Sequence, residues 1–219
     1  MTPQLPRSLA TLTGANLMAQ SAEQLSLAAV PMVAVLLLDA GPGDIGLLAA
    51  VQTLPFLLLS LPMGLMVDRM PRRRLMIAAE VSRGVALAAL LAGMLMGFLS
   101  VGYLAVLGFL GAVGTVVFSV AAPALVPSLV PRTALAQANG RLELARSAAF
   151  AAGPALGGAL VSWAGASATF VLAVVMSVTA IALLWRLREP PWAPRAIPCG
   201  RCRTAHCSSG ATSCSGPSC

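Results

Sequence analysis

The sequence of 219 residues is 58% hydrophobic and only 10% charged, whereas a soluble domain is roughly 45–50% apolar and about 25% charged. Too few charges are present to build a water-facing shell. The net charge of +7 comes from fourteen arginines and no lysine. These lie between apolar runs, which argues against a nucleic-acid partner and makes the lipid bilayer the solvent to assume.

A signal peptide needs an apolar core near its start, but Gln20, Glu23 and Gln24 occupy that region, so no cleaved leader is expected. All five cysteines lie in the last 21 residues, so no disulfide is expected to staple the preceding body.

A spanning helix needs about 20 mostly apolar residues, at ~1.5 Å each across a hydrocarbon layer of ~30 Å. Six segments meet that test, at 9–38, 44–66, 75–98, 101–126, 139–163 and 166–187. The predicted fold class is therefore an all-α membrane protein of six transmembrane helices. Pro31, Pro55, Pro62, Pro123 and Pro154 fall in or near these spans, where neighbouring helices can re-satisfy the freed backbone groups.

The first span carries Thr13, Asn16, Gln20, Glu23 and Gln24 at steps of three and four, which puts them on one helix face that cannot look at lipid. Glu23 lies roughly 21 Å along the axis, well inside the membrane. Three readings remain open for it: a proton-coupling acid, a partner for a cationic substrate, or a structural carboxylate satisfied by a nearby donor. Asn16 and Gln20 either line the same cavity or join helices by hydrogen bonds.

Between the second and third spans stands Gly64-Leu65-Met66-Val67-Asp68-Arg69-Met70-Pro71-Arg72-Arg73-Arg74. In the third span Glu80 and Arg83 sit three apart near its start, and Glu143 and Arg146 repeat that spacing in the fifth. Each pair can neutralise itself on one helix face, and the expected role is an interfacial ion pair holding a helix end. A cross-helix pair such as Glu80 with Arg146 would suit a gate. The fifth span also contains Gly140 and then Gly153-Pro154-Ala155-Leu156-Gly157-Gly158. Small residues of this kind let helices approach closely.

Basic residues mark the cytoplasmic side of short loops. Arg7, Arg69, Arg72, Arg73, Arg74, Arg132, Arg186 and Arg188 all fall before the first span or after an even-numbered one, and the loops after spans 1, 3 and 5 have none. Both ends of the body are thus expected in the cytoplasm, with the plasma membrane, a bacterial inner membrane, as the location.

The loop from Gly64 to Arg74 resembles the signature loop of the major facilitator superfamily in Gly64, Asp68, Arg69, Arg72, Arg73 and Arg74, with Pro71 where that pattern has Gly. The glycines of the fifth span resemble that family's antiporter motif, with Ala149 in place of one glycine. The resemblance implies the N-terminal bundle of the fold, two three-helix units related as an inverted repeat. It implies that Asp68 and Arg72 contact helix ends of a second bundle, and that the chain exports an amphipathic small molecule. The branch it is most similar to contains siderophore and macrolide exporters.

The body is placed at 1–190 and a tail rich in Cys, Ser, Gly and Arg at 191–219. A shifted reading frame near 192–198 would explain that change of composition. Cys199, Cys202, His206 and Cys207 suggest zinc, but they are crowded and have no hydrophobic surround, so neither a metal nor a cofactor is expected. The expected activity is proton-coupled efflux, with a second bundle supplied by a missing half or by a second copy. No enzyme is expected, since the spans contain no Cys or His. The rival reading is a non-transporting scaffold or an inactive fragment.

Overall fold

A computed structural model describes residues 7–187 and is all-helical over that range. The tail at 191–219 and the boundary drawn at 190 lie outside the described residues. Helix α1 runs Arg7–Leu38, α2 Pro42–Arg69, α3 Arg72–Met96 and α4 Val101–Leu129. After a short 3-10 turn at Arg132–Ala134 comes a helix assigned continuously over Leu135–Arg186.

The turns follow local chemistry. Asp39 takes φ 48°, while the Ala40 N–H bonds back to Ala34 O at 3.1 Å and closes the end of α1. Asp tolerates this left-handed region better than most side chains. Pro42 opens α2, where its missing N–H costs nothing, and Asp44 accepts the Gly41 N–H at 3.2 Å. Gly97, at φ 74°, ends α3, and Ser100 accepts the Tyr103 N–H to open α4.

Five helices are long and apolar enough to cross a membrane among the described residues. The last of them covers two spans. Its 52 residues would extend ~78 Å at ~1.5 Å each, far more than a bilayer core. It breaks at Gly165, whose φ 86°, ψ 164° is open essentially to glycine alone. The arms 135–164 and 166–186 are α5 and α6. Leu142 and Leu184 share one core cluster, and Val161 and Phe170 share the other. The arms therefore run antiparallel.

All six predicted spans are present, with ends shifted by up to four residues. One core cluster gathers Leu12, Met76, Leu125 and Leu184, from the end of the bundle that carries Arg69, Arg72, Arg73, Arg74 and Arg132. The other gathers Val33, Leu48, Leu90, Leu104 and Phe170, toward the end with Asp39 and Asp44. Helix α1 packs against α5 and α6, and α4 packs against α2 and α3. This reciprocal swap of partners is the pattern a three-plus-three repeat gives.

Small residues set the crossings. A Cβ added at Gly114 would stand 2.7 Å from Ala79 O, so α3 and α4 can touch only because that atom is missing. The outer faces carry exposed Leu36, Leu57, Leu95, Val106 and Val178, as lipid-facing helices do. Trp163 and Trp185 stand exposed at opposite ends of the α5–α6 hairpin, the positions along a spanning helix where membrane proteins are enriched in Trp.

Candidate functional site

Between α1, α2, α3 and α4 lies a cavity of about 450 Å³, the size of a small-molecule site. Most of its wall is aliphatic, with Phe56 and Phe150 as its aromatic members. Its charged members are Glu23 and Arg83, and Ser26, Gln52, Thr53 and Thr115 add polar atoms.

Arg83 is almost wholly buried and is the hub of this polar group. Nη1 donates to Ala19 O at 3.0 Å and to Glu80 Oε1 at 2.5 Å, and Nη2 donates to Thr115 Oγ1 at 2.9 Å. Glu23 Oε2 stands 3.8 Å from Nη2, an ion-pair distance too long for a hydrogen bond. Glu80 has none of its surface exposed, and its Oε2 takes a second donor, the Ser177 hydroxyl, at 3.0 Å. Three helices therefore meet at one guanidinium, α1 through Ala19 and Glu23, α3 through Glu80 and Arg83 itself, and α4 through Thr115, and α6 joins the group through Ser177 on Glu80.

The two carboxylates are not equivalent. Glu80 is closed in, with both oxygens holding hydrogen-bond donors. Glu23 lines the cavity, and its buried Oε2 has no hydrogen-bond partner among the described residues. A buried charged oxygen without a hydrogen bond is costly, and more so in a bilayer. Chemically the site offers one carboxyl oxygen without a donor among the described residues, beside an apolar cavity, that can take a proton or a cation.

The family model of the Major Facilitator Superfamily matches residues 12–201. The chain belongs to that superfamily. It is a multi-pass membrane protein of a transporter family, not of an enzyme family. No curated protein matches it.

Within the superfamily bundle the polar stripe of α1 divides. Glu23 reaches the cavity, whereas Asn16, Gln20 and Gln24 are buried outside its lining. Asn16 Nδ2 donates to Leu142 O of α5 at 3.0 Å, so it joins helices. Gln24 packs against Gly153 of α5, and its Nε2 is buried without a hydrogen-bond partner. The stripe is wide enough to face both α5 and the cavity, so its members divide between the two roles that the sequence left open.

Glu80 and Arg83 do pair, but in the bundle core and not at the interface. The expectation placed them too shallow because α3 begins at Arg72, three residues earlier than the hydropathy suggested, and because α1, α4 and α6 cover that face. Glu143 and Arg146 form no ion pair. Both lie on the exposed face of α5, opposite the packed Leu142, Ala145 and Ala149, and Arg146 instead stands 5.4 Å from the ring centre of Phe150. Nor does Glu80 reach Arg146, since Arg83 and Ser177 occupy both its oxygens.

In the superfamily's signature loop, Arg73 makes the helix-end contact. Its Nε and Nη2 donate to Leu184 O and Trp185 O at 2.8 and 2.6 Å, and so cap the C-terminus of α6 within this bundle. Arg72 has a buried Nε with no hydrogen-bond partner among the described residues. Arg69 and Arg74 are exposed, Gly64 has open space around it, and the Asp68 side chain lies outside the described residues. In the antiporter-like motif, Gly153 and Gly157 meet α1 at Gln24 and Ala28, while Gly140 and Gly158 face open space and Pro154 is exposed.

The sequence reading missed Thr115, Ser177 and Gln52. A lone hydroxyl or amide in an apolar span was the available signal, but it does not name a partner on another helix.

Proposed function

We propose that this bundle is the N-terminal half of a secondary transporter that exports an amphipathic small molecule, of drug or siderophore type, in exchange for protons. The observation that carries the reading is Glu23, a buried carboxylate whose free oxygen faces an apolar cavity of about 450 Å³ and which Arg83 reaches only at 3.8 Å. One proton on Glu23 removes the charge of a buried carboxylate that no hydrogen bond among the described residues reaches at Oε2. A proton or a cationic substrate can then compete for the same oxygen. The scaffold reading gives this oxygen no use.

Alternating access requires a second bundle to rock against, supplied by another copy of this chain or by a separate polypeptide. The proposed setting is the plasma membrane, with the arginine-rich end of the bundle in the cytoplasm. Asp68 and Arg72 are proposed to meet helix ends of the second bundle.

The test uses proteoliposomes of the full chain loaded with rhodamine 6G, an amphipathic dye, under an imposed pH gradient. Dye movement should follow the gradient and be lost in Glu23→Gln. Movement that ignores both the gradient and that substitution removes proton coupling through Glu23, and no movement at all removes transport of such molecules by this chain alone.

A further inference from the structure

Hydrocarbon does not solvate a charge, so a guanidinium exposed within a span has something other than lipid beside it. Arg146 is such a group. It stands on the exposed face of α5, roughly 16 Å along the axis from Leu135 at ~1.5 Å per residue, within the depth of a bilayer core. Its guanidinium carbon lies 5.4 Å from the ring centre of Phe150, and Phe150 lines the cavity of about 450 Å³. Its charge also acts on Glu23, in the wall of the same cavity. These two observations place Arg146 at the cavity rim.

The ring contact uses no N–H of Arg146 as a hydrogen bond, and among the described residues Arg146 forms no ion pair. Glu143, one turn earlier on the same exposed face, does not reach it, and the ion-pair partner of Glu23 is Arg83. A second donor stands behind the rim: Arg83 lines the cavity, and its buried Nε has no hydrogen-bond partner among the described residues. The polar end of the cavity thus has guanidinium N–H groups to spare, while Val30, Ile45, Leu48, Leu87 and Leu90 make the rest of its wall aliphatic. A guanidinium with a free edge takes a carboxylate through two parallel bonds.

We propose that Arg146 receives an anionic group of the molecule whose apolar body fills the cavity, so that the site selects amphipathic organic acids. The inference rests on reading this cavity as the substrate site. It fixes one group of that molecule and leaves Glu23 open to a proton or to a cationic group elsewhere on it.

The test is equilibrium dialysis of the purified full chain in uncharged detergent micelles at pH 7, with empty micelles as the blank. The probes are naproxen, an aryl carboxylate, and its primary amide, which has nearly the same shape and no charge. Wild type should bind the acid about tenfold or more tighter than the amide, the scale of one hydrogen bond to a charged group. Arg146→Gln should abolish that ratio while the amide still binds, which also shows that the variant is folded. Arg146→Lys keeps the charge without the planar fork and should keep part of the ratio.

A ratio near one in wild type, or a ratio that survives Arg146→Gln, overturns the proposal. So does an equal loss of both probes in Arg146→Gln, which would give Arg146 a structural contact, or one to a second bundle, in place of the ligand. Gly111→Phe tests the reading underneath. Gly111 lines the cavity, and a Cβ there meets nothing within 4 Å, so the ring enters the cavity itself. Naproxen that still binds Gly111→Phe lies elsewhere and sinks the substrate-site reading, whereas equal wild-type binding of both probes that Gly111→Phe removes overturns only the role of Arg146.

Discussion

Replacing Gly153 by alanine should weaken the seam between α1 and α5, while the same change at Gly158 should not. A Cβ on Gly153 falls on the Gln24 Cβ, and the Gln24 Cα stands only 3.6 Å away, so no rotamer of Gln24 can relieve the clash and a helix has to move. A Cβ on Gly158 meets nothing within 4 Å. Both positions are helix interior, so both variants gain the same ~1 kcal/mol of helix propensity. Their difference then isolates the overpacking, about 1–3 kcal/mol. Gly157→Ala, whose Cβ would stand 2.9 Å from Ala28 Cβ, should fall between them. The measurement is the apparent melting temperature in detergent micelles, followed by circular dichroism. A double variant, Gly153→Ala with Gln24→Gly, moves the small residue across the seam and should recover most of the overpacking loss. A Gly153→Ala protein that melts at or above Gly158→Ala would refute the argument.

Arg73→Ala should loosen the C-terminus of α6, since it removes two charge-assisted bonds to Leu184 O and Trp185 O that are together worth about 1–3 kcal/mol. Hydrogen exchange at the amides of residues 184–187 should quicken, and unchanged exchange would show that the cap contributes nothing. Gly165→Ala should cost about 1–3 kcal/mol, because its φ 86°, ψ 164° is strained for any residue with a Cβ. A melting temperature equal to wild type would mean that the hairpin can reverse in another way.

The spans were legible because length and hydropathy are sums over many residues, and an error of a few positions leaves the sum intact. The end of α5 was legible for a different reason: Ala164 to Ser167 is a short small-residue break inside an apolar run too long for one bilayer crossing. Glu23 was legible because a carboxylate in mid-span has no ordinary explanation. The pairing of Glu80 with Arg83 was also readable, since an i, i+3 spacing places both on one face. Their depth was not. It depends on where α3 begins and on which helices cover that face, and neither is a local property of the Glu80–Arg83 segment. The same limit split the α1 stripe, since helical spacing gives a side chain's direction but not the identity of the neighbour it meets.

The polar group at Arg83 is a poor device for stability. Buried ion pairs can often be replaced by apolar side chains of similar volume at no cost, and in a bilayer the price of placing the charges is higher still. If holding α1, α3, α4 and α6 together were the task, close packing of the kind seen between Gly114 and Ala79 would do it without charges. The arrangement is also lopsided in a way that a structural clamp has no reason to be. Glu80 is saturated by Arg83 and Ser177, while Glu23 is left with an oxygen that nothing among the described residues donates to. The cavity that Glu23 lines gives that oxygen a partner's way in. A proton and a cationic ligand can both enter there, and each removes the same net charge. In the exchange proposed above, that equivalence would let one carboxylate serve proton and ligand in turn, and it is Glu23, on the cavity wall, and not Glu80 behind it, that has the unsatisfied oxygen.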